Sequence, residues 1–246
     1  TVIDGGAGID SLDAALVTAG NAGVFANFET LSLTTTGSNL DLNLVNKSTF
    51  TTIALDGAAN STVRNVSTSQ SLTVNAGATT TTLLFKDVAG TADAYTINFN
   101  ADNTAATNAG TVVVDKIETV TVNSVGKTGV TNTIALTDAD AKSLVITGDK
   151  AINVSFVTAF GTGFTGTDGK GVSTIDASAA TGAVTIDTTA VGVASNGLTV
   201  KTGSANDAIT LAQKATVDAG AGDDTITVSA FGGTLTGGAG KDTFDV

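Results

Sequence analysis

The chain has 246 residues, a formal net charge of −12 and a sequence pI near 4.1, with no histidine, cysteine, proline, methionine or tryptophan. That composition leaves no disulfide, thiolate chemistry, histidine general base or usual zinc ligand set. Its 11 basic residues are spread singly and offer no basic patch to nucleic acid or to an anionic membrane.

No apolar run approaches the roughly 20 residues of a membrane-spanning helix. Glu29 and Glu118 are the only glutamates among the 23 acidic residues. The preference for aspartate suits turns and oxygen cages, and the abundant threonine, valine and isoleucine suit strands.

At the N-terminal end, Gly5-Gly6-Ala7-Gly8-Ile9-Asp10-Ser11-Leu12-Asp13 fits the G-G-x-G-x-D-x-U-x nonapeptide of calcium-binding repeats, in which nine residues make one turn and one short strand. No coil precedes this turn, so Asp10 brings half a cation cage. The sequence reads as a piece of a longer protein that begins inside one roll and ends inside another. Residues 1–20 are expected to form this turn and a short helical cap over Ser11 to Ala19, with Phe25 and Phe28 plugging the first coil.

Residues 21–200 read as a string of short strands in which apolar side chains alternate with Thr, Ser and Asn. Examples are Thr30-Leu31-Ser32-Leu33, Thr52-Ile53-Ala54-Leu55, Ser71-Leu72-Thr73-Val74, Thr119-Val120-Thr121-Val122 and Ser143-Leu144-Val145-Ile146. Many end at Asp or Asn before a small residue, as at Asp56-Gly57 and Asn75-Ala76. The spacing between strands does not settle to a strict period. Two architectures fit, a parallel β-helix with two or three strands per coil and a β-sandwich. The β-helix is favoured because the strand cores are stackable aliphatics and tight hairpin signals are rare, Asn196-Gly197 being the clear one.

Both glutamates share one context: Phe28-Glu29-Thr30-Leu31 echoes Ile117-Glu118-Thr119-Val120. They are expected to accept backbone N–H groups where a strand starts, and not to act as a catalytic carboxylate pair. Asp138 and Asp140 beside Lys142 are the nearest approach to a catalytic cluster, in a segment that reads as a turn or a short helix start.

The C-terminal residues, 201–246, carry three further glycine-rich turns: Thr202-Gly203-Ser204-Ala205-Asn206-Asp207, Ala219-Gly220-Ala221-Gly222-Asp223-Asp224 and Gly237-Gly238-Ala239-Gly240-Lys241-Asp242. An apolar residue recurs at Ile209, Val217, Ile226, Leu235 and Phe244, in steps of eight or nine. Two nonapeptides make a full coil, so the turn aspartates stack, and like charges a few ångströms apart are unfavourable without a cation between them. Calcium prefers six to eight hard oxygens, and glycine turns can supply carbonyls beside the aspartates. One ion is therefore expected between the first two turns and another between the last two. The expected ligands are Thr202, Ser204, Asp207, Ala219, Gly220, Ala221, Gly222, Asp224, Gly238, Gly240 and Asp242, with Asp10 at the N-terminal turn. The opposite corner has Ala215 and Gly233 in place of aspartate and is expected to hold no ion. The first turn, with Thr202 and Ala205 in glycine positions, is the weaker site. The alternative is a set of ordinary Asx and glycine turns without metal.

The chain resembles the RTX-type crystalline surface-layer (S-layer) proteins of Gram-negative bacteria, of the Caulobacter type, in their C-terminal lattice-forming region. The resemblance rests on Phe28-Glu29-Thr30-Leu31, Ile117-Glu118-Thr119-Val120, Ala141 to Gly148, Val172 to Ser178 and Gly220-Ala221-Gly222-Asp223-Asp224-Thr225-Ile226. It implies a β-solenoid lattice module, type I export and calcium-dependent self-assembly at the cell surface, with cell attachment supplied by a region outside this chain. The fold expected is all-β, a right-handed parallel β-helix or β-solenoid carrying RTX β-roll turns at its C-terminal end and a single such turn at its N-terminal end. Two other functions remain open on the sequence: an RTX adhesin segment, and a β-helix enzyme acting on polysaccharide, for which Arg64 and Tyr95 are the sole residues of their kinds.

Overall fold

An apolar residue at every second position of a short strand demands a partner face, and here two faces meet across a narrow aliphatic core. A computed structural model of the chain describes residues 1–35, 37–157, 160–161, 172–191, 197–229 and 233–246. Among these the structure is a parallel β-solenoid with two strands per coil and no α-helix. Alternate strands join one of two long sheets, of 11 and 10 strands. The first sheet runs from Ser11–Asp13 to Gly233–Thr236, and the second from Asn39–Asp41 to Thr243–Asp245. Both sheets cross residue 200 without a break.

Every strand pairing between described residues is parallel, which separates the solenoid from a hairpin-built sandwich. The Asn196-Gly197 hairpin signal lies partly outside the described residues.

Register stacks like on like. In the first sheet Leu12, Leu31, Ile53, Leu72, Ile97, Val122 and Ile146 lie one above another and are all buried. In the second, Ile134, Val154, Ile186, Ile209 and Ile226 do the same. Each such ladder removes branched aliphatic surface from water at roughly 25 cal/mol per Å², while the alternate Thr and Ser side chains face outward. The column continues onto Phe244, which is 45% exposed on the last strand.

Coil length varies because the loops vary and the strands do not. Equivalent positions are 17 residues apart at Thr202 and Ala219 but 31 apart at Lys142 and Ser173. That spread is why the sequence shows no single period.

The N-terminal cap differs from the expected helix. Ser11–Asp13 is a strand, held on Thr30–Ser32, and only Ala14–Leu16 turns, as a 3₁₀ helix capped by Asp13 Oδ1 on Ala15 N at 2.9 Å. Leu12 is drawn onto Leu31 in the sheet, so a helix cannot start at Ser11. Phe25 and Phe28 are buried together, edge to face, with ring centroids 6.3 Å apart. No helix among the described residues is long and apolar enough to cross a membrane.

Candidate metal centre

A residue just before a strand has a backbone N–H that the sheet ladder does not yet serve, and a buried N–H must find an acceptor. This chain meets the need with carboxylates from the following coil. Glu29 Oε2 accepts from Asp10 N at 3.0 Å, and Glu118 Oε2 from Asp93 N at 2.8 Å. Asp207 Oδ1 accepts from Val184 N at 2.7 Å, Asp224 Oδ1 from Asp207 N at 2.8 Å, and Asp242 Oδ1 from Asp224 N at 3.1 Å. Both glutamates therefore sit where a strand starts and bind backbone. Such charge-assisted bonds are stronger than neutral ones.

The three C-terminal turns lie at one corner, where the chain passes from the first sheet to the second. A second ladder runs beside the aspartates in the opposite sense: Asp223 N donates to Asn206 Oδ1 at 2.9 Å, and Lys241 N donates to Asp223 Oδ1 at 2.8 Å. Neighbouring turns are thus locked from both sides. Their backbones also bond directly, Ala221 N to Gly203 O at 2.9 Å, Ala239 N to Gly220 O at 2.8 Å and Gly222 N to Ala239 O at 2.8 Å.

Close stacking explains the glycines. Gly220 and Gly222 have φ of 89° and 132°, and Gly238 and Gly240 have φ of 102° and 137°, values that L side chains rarely adopt. A Cβ on Gly238 would stand 1.9 Å from Gly220 O, and one on Gly240 would stand 2.0 Å from Gly222 O. The first turn departs from this pattern. Gly203 is not at positive φ and Ala205 fills the second glycine position, while Thr202 is buried with its Oγ1 donating to Ala219 O at 2.8 Å. Ser204 is exposed. At the other corner Ala215 pairs with Gly233, and neither carries a carboxylate.

The electrostatics of the corner are those of a stacked anion row. Asp207 and Asp224 are 3% and 1% exposed. Burial pushes the carboxyl of Asp207 above its ordinary range, and the charge of Asp224 adds to that. Burial raises Asp224 likewise, with Asp242 and Asp223 adding repulsion. Asp224 Oδ2 is buried with no hydrogen-bond partner, which is costly for a carboxylate. Among the described residues no three acidic, histidine or cysteine side chains gather as a metal-binding group. A cation at this corner would therefore draw much of its shell from backbone carbonyls. The oxygens of Asp207, Asp224 and Asp242 and the carbonyls of the glycine turns are hard donors of the kind calcium takes. The orphaned Asp224 oxygen and the side-chain-free cradle fit such an ion.

The N-terminal turn has the same backbone, with Gly6 and Gly8 at φ 89° and 134°, but it lies at the opposite corner, leading into the first sheet. Asp10 Oδ2 is also buried without a partner.

One buried carboxyl was not legible as such in the sequence. Asp138 is fully buried, and burial pushes its carboxyl up to about 8, with Asp115 and Asp140 contributing repulsion. Its Oδ1 accepts from Asp140 N at 3.0 Å, while Gly161 N donates to its carbonyl at 2.6 Å. The turn read over Thr137 to Ala141 is present, and Lys142 pairs with Glu118, Nζ to Oε1 at 3.7 Å. Tyr95 is sealed in the core against Phe85.

Comparison with known proteins adds no relative: no family model matches the chain, and no curated protein does.

Proposed function

We propose that this chain is a structural module of a bacterial surface layer, secreted and folded with calcium outside the cell, that packs against copies of itself. The observation that carries the calcium part is the aspartate row of Asp207, Asp224 and Asp242, with a buried, unpartnered oxygen on Asp224 and raised carboxyls on two of the three. Asp207, Asp224, Asp242 and the carbonyls of Gly220, Gly222, Gly238 and Gly240 would hold the ions. Bound calcium would supply positive charge between like-charged coils and join successive windings where the sheets run out. Extracellular sites with Kd of about 10⁻⁴–10⁻³ M fill only where calcium is abundant, so folding of this end would follow export.

The lattice part is supported by the resemblance to RTX surface-layer proteins and by the module's form, a stack of equivalent coils with Thr- and Ser-lined outer faces. A net charge of −12 opposes contact between copies, and calcium at or between molecules would lower that repulsion. By the same resemblance, type I export and attachment to the cell would depend on segments outside this chain. Electron microscopy of the purified chain in millimolar calcium tests the reading. Two-dimensional sheets that disperse on chelation support it. Dispersed rods at every calcium concentration contradict it and favour an adhesin segment.

A further inference from the structure

We infer that a second copy of this chain packs, in antiparallel orientation, on the outward face of the first sheet over Thr30–Leu33, Thr52–Leu55, Ser71–Val74, Ala94–Phe99, Thr119–Ser124 and Ser143–Gly148. The inference rests on the self-packing reading above and adds to it the surface and the orientation.

Charge selects the face. None of the chain's 11 basic and 23 acidic residues falls in these six consecutive strands. With a net charge of −12, two copies repel wherever carboxylates oppose each other, and here none do. Outward in register, Thr30, Thr52, Ser71, Thr96 and Thr121 form one half-buried column, one residue to each strand. Adjacent strands set them about 4.8 Å apart. Among the described residues none of these five hydroxyls has a hydrogen-bond partner. A hydroxyl both donates and accepts, so such a row can bond to a copy of itself.

Flatness selects the same face. Pairing runs from Thr30 to Gly148 without a shift of register. A bulge comes only where Val145 and Thr147 meet the following strand, Thr174–Ala180. In the second sheet, shifts interrupt the pairing at Arg64/Val66 and at Asn108/Thr111. A bulge bends its strand, so that sheet offers no comparable plane, and its early strands carry Asp41 and Arg64.

The orientation follows from the rest of the column. Beyond Thr121 it continues through Val145 to Asp176, Lys201 and Asp218. A parallel overlay would set each of these charges against its own copy. An isologous antiparallel overlay, centred on the hydroxyls, lays neutral strands on neutral strands and carries both charged ends beyond the contact. Six strands of four to six residues present about 400–600 Å². A stable pair buries roughly 800 Å² per partner. One contact of this size is too small for a lasting dimer in dilute solution and holds within an array, where many act together.

The critical concentration for assembly in millimolar calcium, read by light scattering and sedimentation, tests this with Thr96→Lys, Thr121→Lys and Thr62→Lys beside the wild type. Each substitution brings the net charge nearer zero, so long-range repulsion falls equally in all three. Thr96→Lys and Thr121→Lys should nevertheless raise the critical concentration at least about tenfold, because each puts a desolvated ammonium into a contact with its own copy. Thr62→Lys, on the strand of Arg64 in the second sheet, should leave it unchanged. Thermal unfolding below the assembly threshold checks that the variants fold; should Thr96→Lys not fold, Thr121→Lys decides. If both first-sheet variants assemble as the wild type does, or if all three variants fail alike, this face is wrong and the lattice reading stands. If the wild type assembles at no calcium concentration, both readings fail.

Discussion

Asp224 stands directly below Asp207 in the solenoid, its Oδ1 taking the Asp207 backbone N–H at 2.8 Å while its Oδ2 is buried with no partner. One oxygen of the carboxylate therefore does the work of a sheet acceptor, and the other needs a positive partner. Calcium at this position should stabilise the folded chain by mass action. With a Kd of about 10⁻⁴ M and free calcium a hundredfold above it, each site contributes about 2.7 kcal/mol. Thermal unfolding with and without chelator should show a clear rise in midpoint with calcium, and Asp224→Asn should shrink that rise. Coincident curves would contradict the calcium reading.

The glycines of the turns should resist substitution according to what lies over them. Gly240→Ala meets Gly222 O at 2.0 Å and a φ of 137°, so it should cost at least about 2 kcal/mol. Gly129→Ala has a φ of 80° but open space around it, and should cost about 1 kcal/mol. Urea unfolding at constant calcium measures both. Equal costs would mean that the close stacking of the last two turns is not maintained in solution.

Asp138 should impose a pH dependence of its own. Its carboxyl titrates near 8 when folded and near 3.9 when unfolded. Between those values the folded state holds a proton that the unfolded state has lost, so stability falls as pH rises, by at most about 1.4 kcal/mol per unit. The contribution is full below pH 4 and gone above pH 8. Asp138→Asn removes this dependence, so the variant should gain on the wild type steadily from pH 5 to pH 8. A constant difference across that range would show that Asp138 ionises normally.

The Glu118 carboxylate should matter more than its exposed counterparts. It serves Asp93 N at 2.8 Å and pairs with Lys142, and its side chain is 10% exposed. Glu118→Ala leaves the Asp93 backbone donor without its acceptor and removes the carboxylate beside Lys142, and should cost about 2–3 kcal/mol. Asp102→Ala, which breaks a surface pair between Asp102 at 84% exposure and Lys127 at 56%, should change the urea midpoint little.

Much of this architecture is written in short-range pattern. The spacing from Ile209 to Phe244 gave the C-terminal coils in register, because nine-residue units leave no room for another winding. The alternation in the middle gave strands facing a core, yet not their pairing, since the loops that set coil length carry no period. The shared context of Glu29 and Glu118 pointed to backbone acceptors, which they are. What could not be read is where side chains from distant loops close over a site. Asp138 looks like any turn aspartate until Gly161 is bonded to its carbonyl. Likewise, Asp10 and Glu29 are 19 residues apart, and only the coil length between them brings one above the other.

The most direct test is a diffraction or cryo-microscopy map of the chain prepared in millimolar calcium. Strong density bridged by carboxylate and carbonyl oxygens is expected between the 202–207 and 219–224 turns and between the 219–224 and 237–242 turns. Turns that close on one another with only water between them, at saturating calcium, would contradict the account.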